Sequence, residues 1–222
     1  MFTGIISAIG DIANLEQRDG DVRLTIRTGN LSLSDVQLGD SIACNGACLT
    51  AVELTGEGFV ADVSVETLNL TTIGNWKTGS RINLEKAMQA SDRFGGHIVS
   101  GHVDGIGEVV SLEEDARSWR FRIRAPRELA KYIAHKGSIT LDGTSLTINK
   151  VEGSEFELNI VPHTMTHTVA AAYARPACAA RRRSSRARAG GLARSPAPAR
   201  TSAARRAYER AGDPAHGGSA GC

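Results

Sequence analysis

The strongest constraint on this chain is that most of it is written twice. Residues 1–72 lie over residues 98–169 at a constant offset of 97 with no gap, and 17 of the 72 positions are identical. Gly4 falls on Gly101, Ile9-Gly10 on Ile106-Gly107, and Arg23, Ile26 and Arg27 on Arg120, Ile123 and Arg124. The run SIACNGACLT from Ser41 falls on SITLDGTSLT from Ser138. Self-similarity at one fixed period marks two copies of one folding unit. Each copy reads as short strands. DVRLTIRT and SWRFRIRA alternate apolar and polar residues with period two, as do FVADVSVET and FELNIVPHT. Asn45-Gly46 and Asp142-Gly143 are hairpin dipeptides, because both turn positions need positive φ. Only LSLSDVQL and RELAKYIAHKG have a helical look. Many short strands closed by turns predict two tandem small β-barrels, residues 1–97 and 98–169, with a linker near 87–96.

The duplication ends abruptly. In the first copy it continues through GSRINLE, residues 79–85, whereas the equivalent residues 176–182 read PACAARR. The last strand of the second barrel is therefore expected to be missing and that barrel incomplete. From Ala170 onward there are 11 Arg, no Lys, one Glu and one Asp, a net of 11 − 2 = +9. The whole chain is +2, so residues 1–169 carry 2 − 9 = −7. An Arg-rich tail invites a nucleic-acid reading. Its composition argues against one: residues 170–222 are mostly Ala, Arg, Gly, Ser and Pro, with no Ile, Val, Phe, Met or Trp. Such a segment cannot bury enough apolar surface to offset its ordering entropy. These residue types also result when a GC-rich coding sequence is read out of frame. The segment 170–222 is therefore read as an aberrant, frameshifted and disordered tail, a genuine basic tail being the alternative.

With 41% hydrophobic and 23% charged residues the composition is that of a globular protein. No apolar run approaches the ~20 residues of a membrane span. The start, MFTGIISAIGDIAN, lacks the basic n-region of a secretory signal, so a cytoplasmic location is expected. Cys44, Cys48, Cys178 and Cys222 have neither zinc-ligand nor redox-motif spacing, which predicts free thiols and no metal.

MFTGI at the start, NGACLT, VSVETL, GGHIVSGHVDG, DGTSLT and VPHT occur in order over residues 1–169, and in this set the chain resembles the riboflavin synthase family. The resemblance implies two six-stranded Greek-key barrels, each binding 6,7-dimethyl-8-ribityllumazine, and a homotrimer held by a C-terminal helix; residues 170–222 offer no apolar stripe for that helix, so a weak trimer or none, with low activity, is expected of this chain. One active site would form between the first barrel of one subunit and the second barrel of its neighbour. There a four-carbon unit passes between two lumazines, giving riboflavin and 5-amino-6-(D-ribitylamino)uracil. No metal or redox cofactor is implied. Association with lumazine synthase is a possible further partnership, and no nucleic acid or membrane partner is expected. A non-catalytic lumazine- or flavin-binding protein of the same fold is the alternative.

Equivalent positions of the two copies should hold equivalent parts of two substrates. The resemblance assigns binding to Gly4, Ile5 and Ile6 with Gly101, His102 and Val103, and to Cys48, Leu49 and Thr50 with Ser145, Leu146 and Thr147. It adds Asp62, Val63, Ser64, Val65, Glu66 and Thr67 with Asn159, Ile160, Val161, Pro162, His163 and Thr164, and the loop residue Lys136. Glycine admits a flat ring close to the backbone, and hydroxyl and backbone groups suit a pyrimidine-dione edge and ribityl hydroxyls. The copies differ where the substrates must differ: Cys48 faces Ser145 and Ile5 faces His102. A thiol or hydroxyl can add to the acceptor or position a water, and an imidazole can move the proton taken from the donor's C7 methyl. Cys48, Ser145, His102 and Ser41 are the catalytic candidates. Phe2 is read either as a ring stacked on the substrate or as a barrel seal. Cys44 is expected in the core, and His97 and His135 in structural roles.

Overall fold

A computed structural model describes residues 1–173 and 188–194. The first copy gives β1 (Ala8–Arg18), β2 (Asp21–Arg27), β3 (Ser41–Cys44), β4 (Ala47–Thr50), β5 (Glu53–Leu54), β6 (Gly58–Val63), the helix α1 (Val65–Leu70) and β7 (Arg81–Lys86). The second gives β8 (Gly105–Asp115), β9 (Ser118–Arg124), β10 (Ser138–Leu141), β11 (Thr144–Glu152), β12 (Glu155–Ile160), α2 (Pro162–His167) and β13 (Arg188–Arg194).

The second copy closes into a barrel of order β10-β11-β12-β9-β8-β13. The first is a sheet of order β4-β3-β7-β1-β2-β6-β5. Its two ends, β4 and β5, are halves of one stretch that in the second copy is the single strand β11, so the sheet rolls round in the same cyclic order. The interruption at 51–53 corresponds to the register shift between Ile148 and Lys150 in β11. A second irregularity, between Ile12 and Asn14, recurs at offset 97 between Val109 and Ser111. The bulges that bend the strands are thus part of the repeated unit. Alternation along β2 puts Val22, Leu24 and Ile26 inside with Phe59, Ile82 and Leu84, and along β9 puts Phe121 and Ile123 inside with Phe156 and Leu158.

Three expectations are corrected. The final strand of the second barrel is not missing. β13, inside the Ala/Arg-rich segment, pairs with β8 and β10. A barrel closes through main-chain hydrogen bonds, which any residue but proline can supply, so the loss of the repeated pattern does not prevent closure. The rest of the expected disordered tail, 174–187 and 195–222 with Cys178 and Cys222, lies outside the described residues. LSLSDVQL forms turns and RELAKY a 3-10 segment (Arg127–Tyr132), while both α-helices arise at the ends of segments read as strands. The Ser64 side chain accepts from the Thr67 N–H to start α1, and Pro162 pre-sets φ at the start of α2.

The copies meet across an approximate two-fold. Phe2 and Val99, equivalent positions, exchange both backbone hydrogen bonds, at 2.8 and 3.0 Å, and are buried with Ala43. Phe2 thus lies buried in the seam between the barrels. At the same seam a Cβ on Gly46 would meet the Gly143 backbone at 2.7 Å, so only glycine fits. Asn83 of β7 stitches the barrels together. Its N–H donates to Asn45 Oδ1 at 2.7 Å and its Nδ2 to the Asp142 carbonyl at 2.7 Å, while its Oδ1 accepts from the Val169 N–H at 2.8 Å.

Replacing Asn83 by Ala strips two buried partners across the seam, and urea unfolding should read a loss of roughly 2–4 kcal/mol. Asp142 gives a pH dependence. Burial pushes its carboxyl up to about 7, above the unfolded value near 3.8. An acid raised on folding stabilises below the lower value and loses that stabilisation as pH rises through the upper one. The Asp142 contribution to the melting temperature should therefore fall between pH 4 and 7 and flatten above. The Asp142→Asn chain should show a weaker fall over that window, and an unchanged profile would refute this.

Candidate active site

The first barrel carries a pocket roofed by the second copy. In the first barrel, Cys48 on β4 and Glu66, Thr67, Leu70 and Thr71 at α1 line a pocket of about 240 Å³ whose remaining wall is Gly101, His102 and Val103 from the second copy. The Cys48 N–H donates to the Gly101 carbonyl at 2.8 Å. The second barrel repeats the roof contact: the Ser145 N–H donates to the Gly4 carbonyl at 2.9 Å, which lays the N-terminal segment on Ser145. Both roof glycines have positive φ, +75° and +81°, and a Cβ on either would collide with the residue beneath it. The helices α1 and α2 form the other rim at equivalent places. Each ends on a threonine, Thr71 or Thr168, whose hydroxyl donates back to the carbonyl of Thr67 or Thr164 at 2.6 or 2.8 Å.

The structure sorts the sequence candidates. Cys48, Glu66, Thr67, Gly101, His102 and Val103 come together in the first pocket. Ser145, Gly4, Ile5, Ile6, His163 and Thr164 hold the equivalent positions of the second copy, where Gly4 sits on Ser145 and Ile5 also lines a separate cleft. Leu49, Val63 and Ile160 point into the barrel cores, and Leu146 packs against the second core. Thr50, Thr147 and Asn159 are exposed on strands, and Asp62 pairs with Arg23 at 3.5 Å. Ser64 caps α1, whereas Val65, Val161 and Pro162 start the two helices. Ser41, half-buried at the start of β3, pairs with Thr50 outside the pocket lining. Lys136 sits in a loop at φ +60° and donates to Asn149 Oδ1 at 3.2 Å. Cys44 is buried, which raises its thiol far above the ordinary range, so the half-buried Cys48 is the available thiol of the pair.

Two important groups escaped sequence reasoning. His97 Nδ1 lies 2.5 Å from Ser145 Oγ, coupling a hydroxyl to an imidazole beneath the Gly4 roof. His97 precedes the second copy and has no counterpart at offset 97, so comparing the copies cannot find it; its place in GGHIVSGHVDG was the available signal. The other is Glu85 on β7, 5% exposed. Its Oε1 accepts from the Thr3 N–H and hydroxyl, both at 2.6 Å, and its Oε2 from the Gly4 N–H at 2.9 Å. Burial raises its pKa against the opposing pull of those bonds. A larger cleft of about 490 Å³, lined by Glu85, Lys86, Met88 and Arg93 among others, lies on the far side of Thr3 and Ile5. It contains neither candidate nucleophile, so chemistry favours the smaller pocket.

The lumazine binding domain family matches residues 3–87 and again 100–176. Riboflavin synthase of Photobacterium phosphoreum is 50% identical over 171 residues, covering 77% of this chain and 78% of that protein. The riboflavin synthase of Bacillus subtilis is 43% identical over 169 residues, covering 76% and 78%. Among solved structures, LumP complexed with riboflavin superposes with a TM-score of 0.76 at 21% identity, over 89% of this chain and all of that one. LumP complexed with 6,7-dimethyl-8-(1'-D-ribityl) lumazine gives a TM-score of 0.72 over 89% and 99%.

The crowding at the roof is directly testable. A Cβ at position 101 would meet Cys48 Cβ and Phe2 Cε2, each at 2.7 Å, on a backbone with positive φ. Gly101→Ala should cost roughly 2 kcal/mol or more and weaken riboflavin binding, read by urea unfolding and fluorescence titration.

Proposed function

Since this chain belongs to the riboflavin synthase family, whose lumazine-binding domain it carries twice, we propose that its two roofed pockets hold the two 6,7-dimethyl-8-ribityllumazine molecules of that reaction. The chain is an enzyme, a transferase: one lumazine gives a four-carbon unit to the other, yielding riboflavin and 5-amino-6-(D-ribitylamino)uracil. The observation that carries the site assignment is the exchange of roofs, which puts a nucleophile of one copy under a backbone glycine of the other in both barrels.

The two roofed sites are alike in their backbone contacts and unlike in their side chains, and dismutation needs that. Identical molecules must play different parts, one losing a proton from its C7 methyl and the other taking a nucleophile at C7. Cys48 with His102 serves the first pocket, and Ser145 with His97 the second. Imidazole contact favours deprotonation of the Ser145 hydroxyl or of a water beside it. Glu66 and His163, at equivalent places on α1 and α2, meet the ribityl hydroxyls, and Thr67 and Thr164 the ring edge. Much of the rate comes from holding two substrates in contact.

Contact between substrates requires two barrels face to face. The pocket rims carry exposed apolar residues, Val65 and Leu70 at the first, 47% and 41% exposed, and Ile5 and Val161 at the second, both 51%. Their exposure in the single chain supports a subunit interface that joins the first pocket of one chain to the second barrel of the next, as in a homotrimer where Lys136 reaches a neighbour's ligand. A cytoplasmic location and association with lumazine synthase, which would supply the substrate, accord with this role. Among the described residues no helix is long and apolar enough to cross a membrane. The alternative of a passive lumazine- or flavin-binding protein takes its support from LumP alone. The Ser145–His97 contact and the shared pocket of Cys48 and His102 favour catalysis.

The purified chain incubated with the lumazine should release one riboflavin per two lumazines consumed, read by absorbance. Cys48→Ala and His102→Ala should each lower kcat by about 10²-fold while riboflavin still binds. Full rates in both variants would overturn the assigned roles, and binding without turnover in the parent chain would favour the passive protein.

A further inference from the structure

The exchange of roofs gives the last strand of each barrel a second task. β7 closes the first barrel and also carries Glu85, whose carboxylate takes three hydrogen bonds from Thr3 and Gly4. Those residues roof the second pocket. The two-fold relation demands that β13 do the same for Ser100 and Gly101, which roof the first.

The register identifies the residue concerned. Ala43 pairs with Glu85 between β3 and β7, and the equivalent Thr140 pairs with Ala193 between β10 and β13. Cys44 pairs with Leu84, and the equivalent Leu141 with Leu192. The position of Glu85 thus falls on Ala193, and that of Asn83 on Gly191. β13 also has a register shift between Ala189 and Leu192 that β7 lacks.

The neighbours of β13 carry the mark of this loss. Thr140 Oγ1, Asp142 Oδ1 and Thr144 Oγ1 are buried side-chain atoms without a partner. Asp142 is equivalent to Asn45, whose side-chain oxygen accepts from the Asn83 N–H in the first barrel. Buried polar atoms are almost always paired; the donor that Asn45 uses is a main-chain N–H, so the Asp142 orphan goes with the register shift of β13, while Thr140 and Thr144 stand where the first copy has Ala43 and Ala47. At the roof itself, the Ser100 hydroxyl accepts from the His102 N–H at 3.2 Å, matching Thr3 with Ile5. Among the described residues, no carboxylate reaches the N–H groups of Ser100 and Gly101.

We infer that the two roofs of this chain are unequally held: Glu85 is a positioning residue that pins Thr3–Ile5 over the second pocket, and the roof over the first pocket, which carries His102, lacks its pin because position 193 is alanine. The defect lies in the closing strand of the second barrel and acts on the pocket of the first. This rests on the function assigned above only in the consequence for His102.

Hydrogen exchange with mass spectrometry on the full chain tests it. Amides of 100–103 should exchange about tenfold or more faster than those of 3–6. Ala193→Glu should slow 100–103 severalfold and leave 3–6 unchanged, and Ala193→Gln, with one acceptor oxygen, should do so less. Glu85→Ala should speed exchange at 3–6 alone, and Glu85→Gln should do so less. Equal protection of the two roofs in the parent chain overturns the inference, as does Ala193→Glu with no effect on 100–103. Should Ala193→Glu not fold, unchanged protection of 3–6 in both Glu85 variants overturns it equally. In the lumazine assay Ala193→Glu should raise kcat severalfold at unchanged KM. Absence of turnover in every variant, with the protection pattern as described, would count against the assigned reaction and leave the inference standing.

Discussion

Everything functional in this molecule depends on a few main-chain hydrogen bonds between its halves. The Phe2–Val99 exchange fixes the two N-terminal segments side by side. The Cys48–Gly101 and Ser145–Gly4 bonds then lay each segment across the opposite barrel. These bonds are symmetric because they depend on backbone atoms and on glycines that admit no Cβ. Chemical asymmetry enters only through side chains, at Cys48 and Ser145 and at Ile5 and His102. The division is physically economical: main chain sets where two like substrates lie, and side chains decide what happens to each.

The fold was legible because two copies can be read against each other. Alternation in β2 and β9, the NG and DG turns and the hydrophobic interior all follow local rules that the second copy repeats. What was not legible is non-local. The short helices α1 and α2 hide inside strand-like sequence, since a capping serine or an N-terminal proline outweighs six residues of alternation. β13 escaped because main-chain pairing leaves almost no trace in sequence.

The site was legible to a similar depth. Cys48, Thr67, Gly101 and His102, which the resemblance assigns to substrate, line one pocket. Leu49, Val63 and Ile160 belong to the same segments, but pleating sends alternate side chains into the core. His97 and Glu85 were missed for opposite reasons. His97 has no counterpart, whereas Glu85 has one only in a strand whose sequence no longer follows the pattern.

Exchanged roofs also constrain how such a chain can have originated. A single copy, folded alone, would present its own N-terminal glycine segment with nothing beneath it and an uncovered nucleophile elsewhere on its surface. Two separate copies facing each other across a true two-fold would satisfy both needs, with Phe2-type residues exchanging backbone bonds as Phe2 and Val99 do now. The covalent duplication therefore reads as a fused dimer. Fusion freed the halves to diverge, because a mutation in a symmetric dimer strikes both pockets at once and one in a fused chain strikes only one.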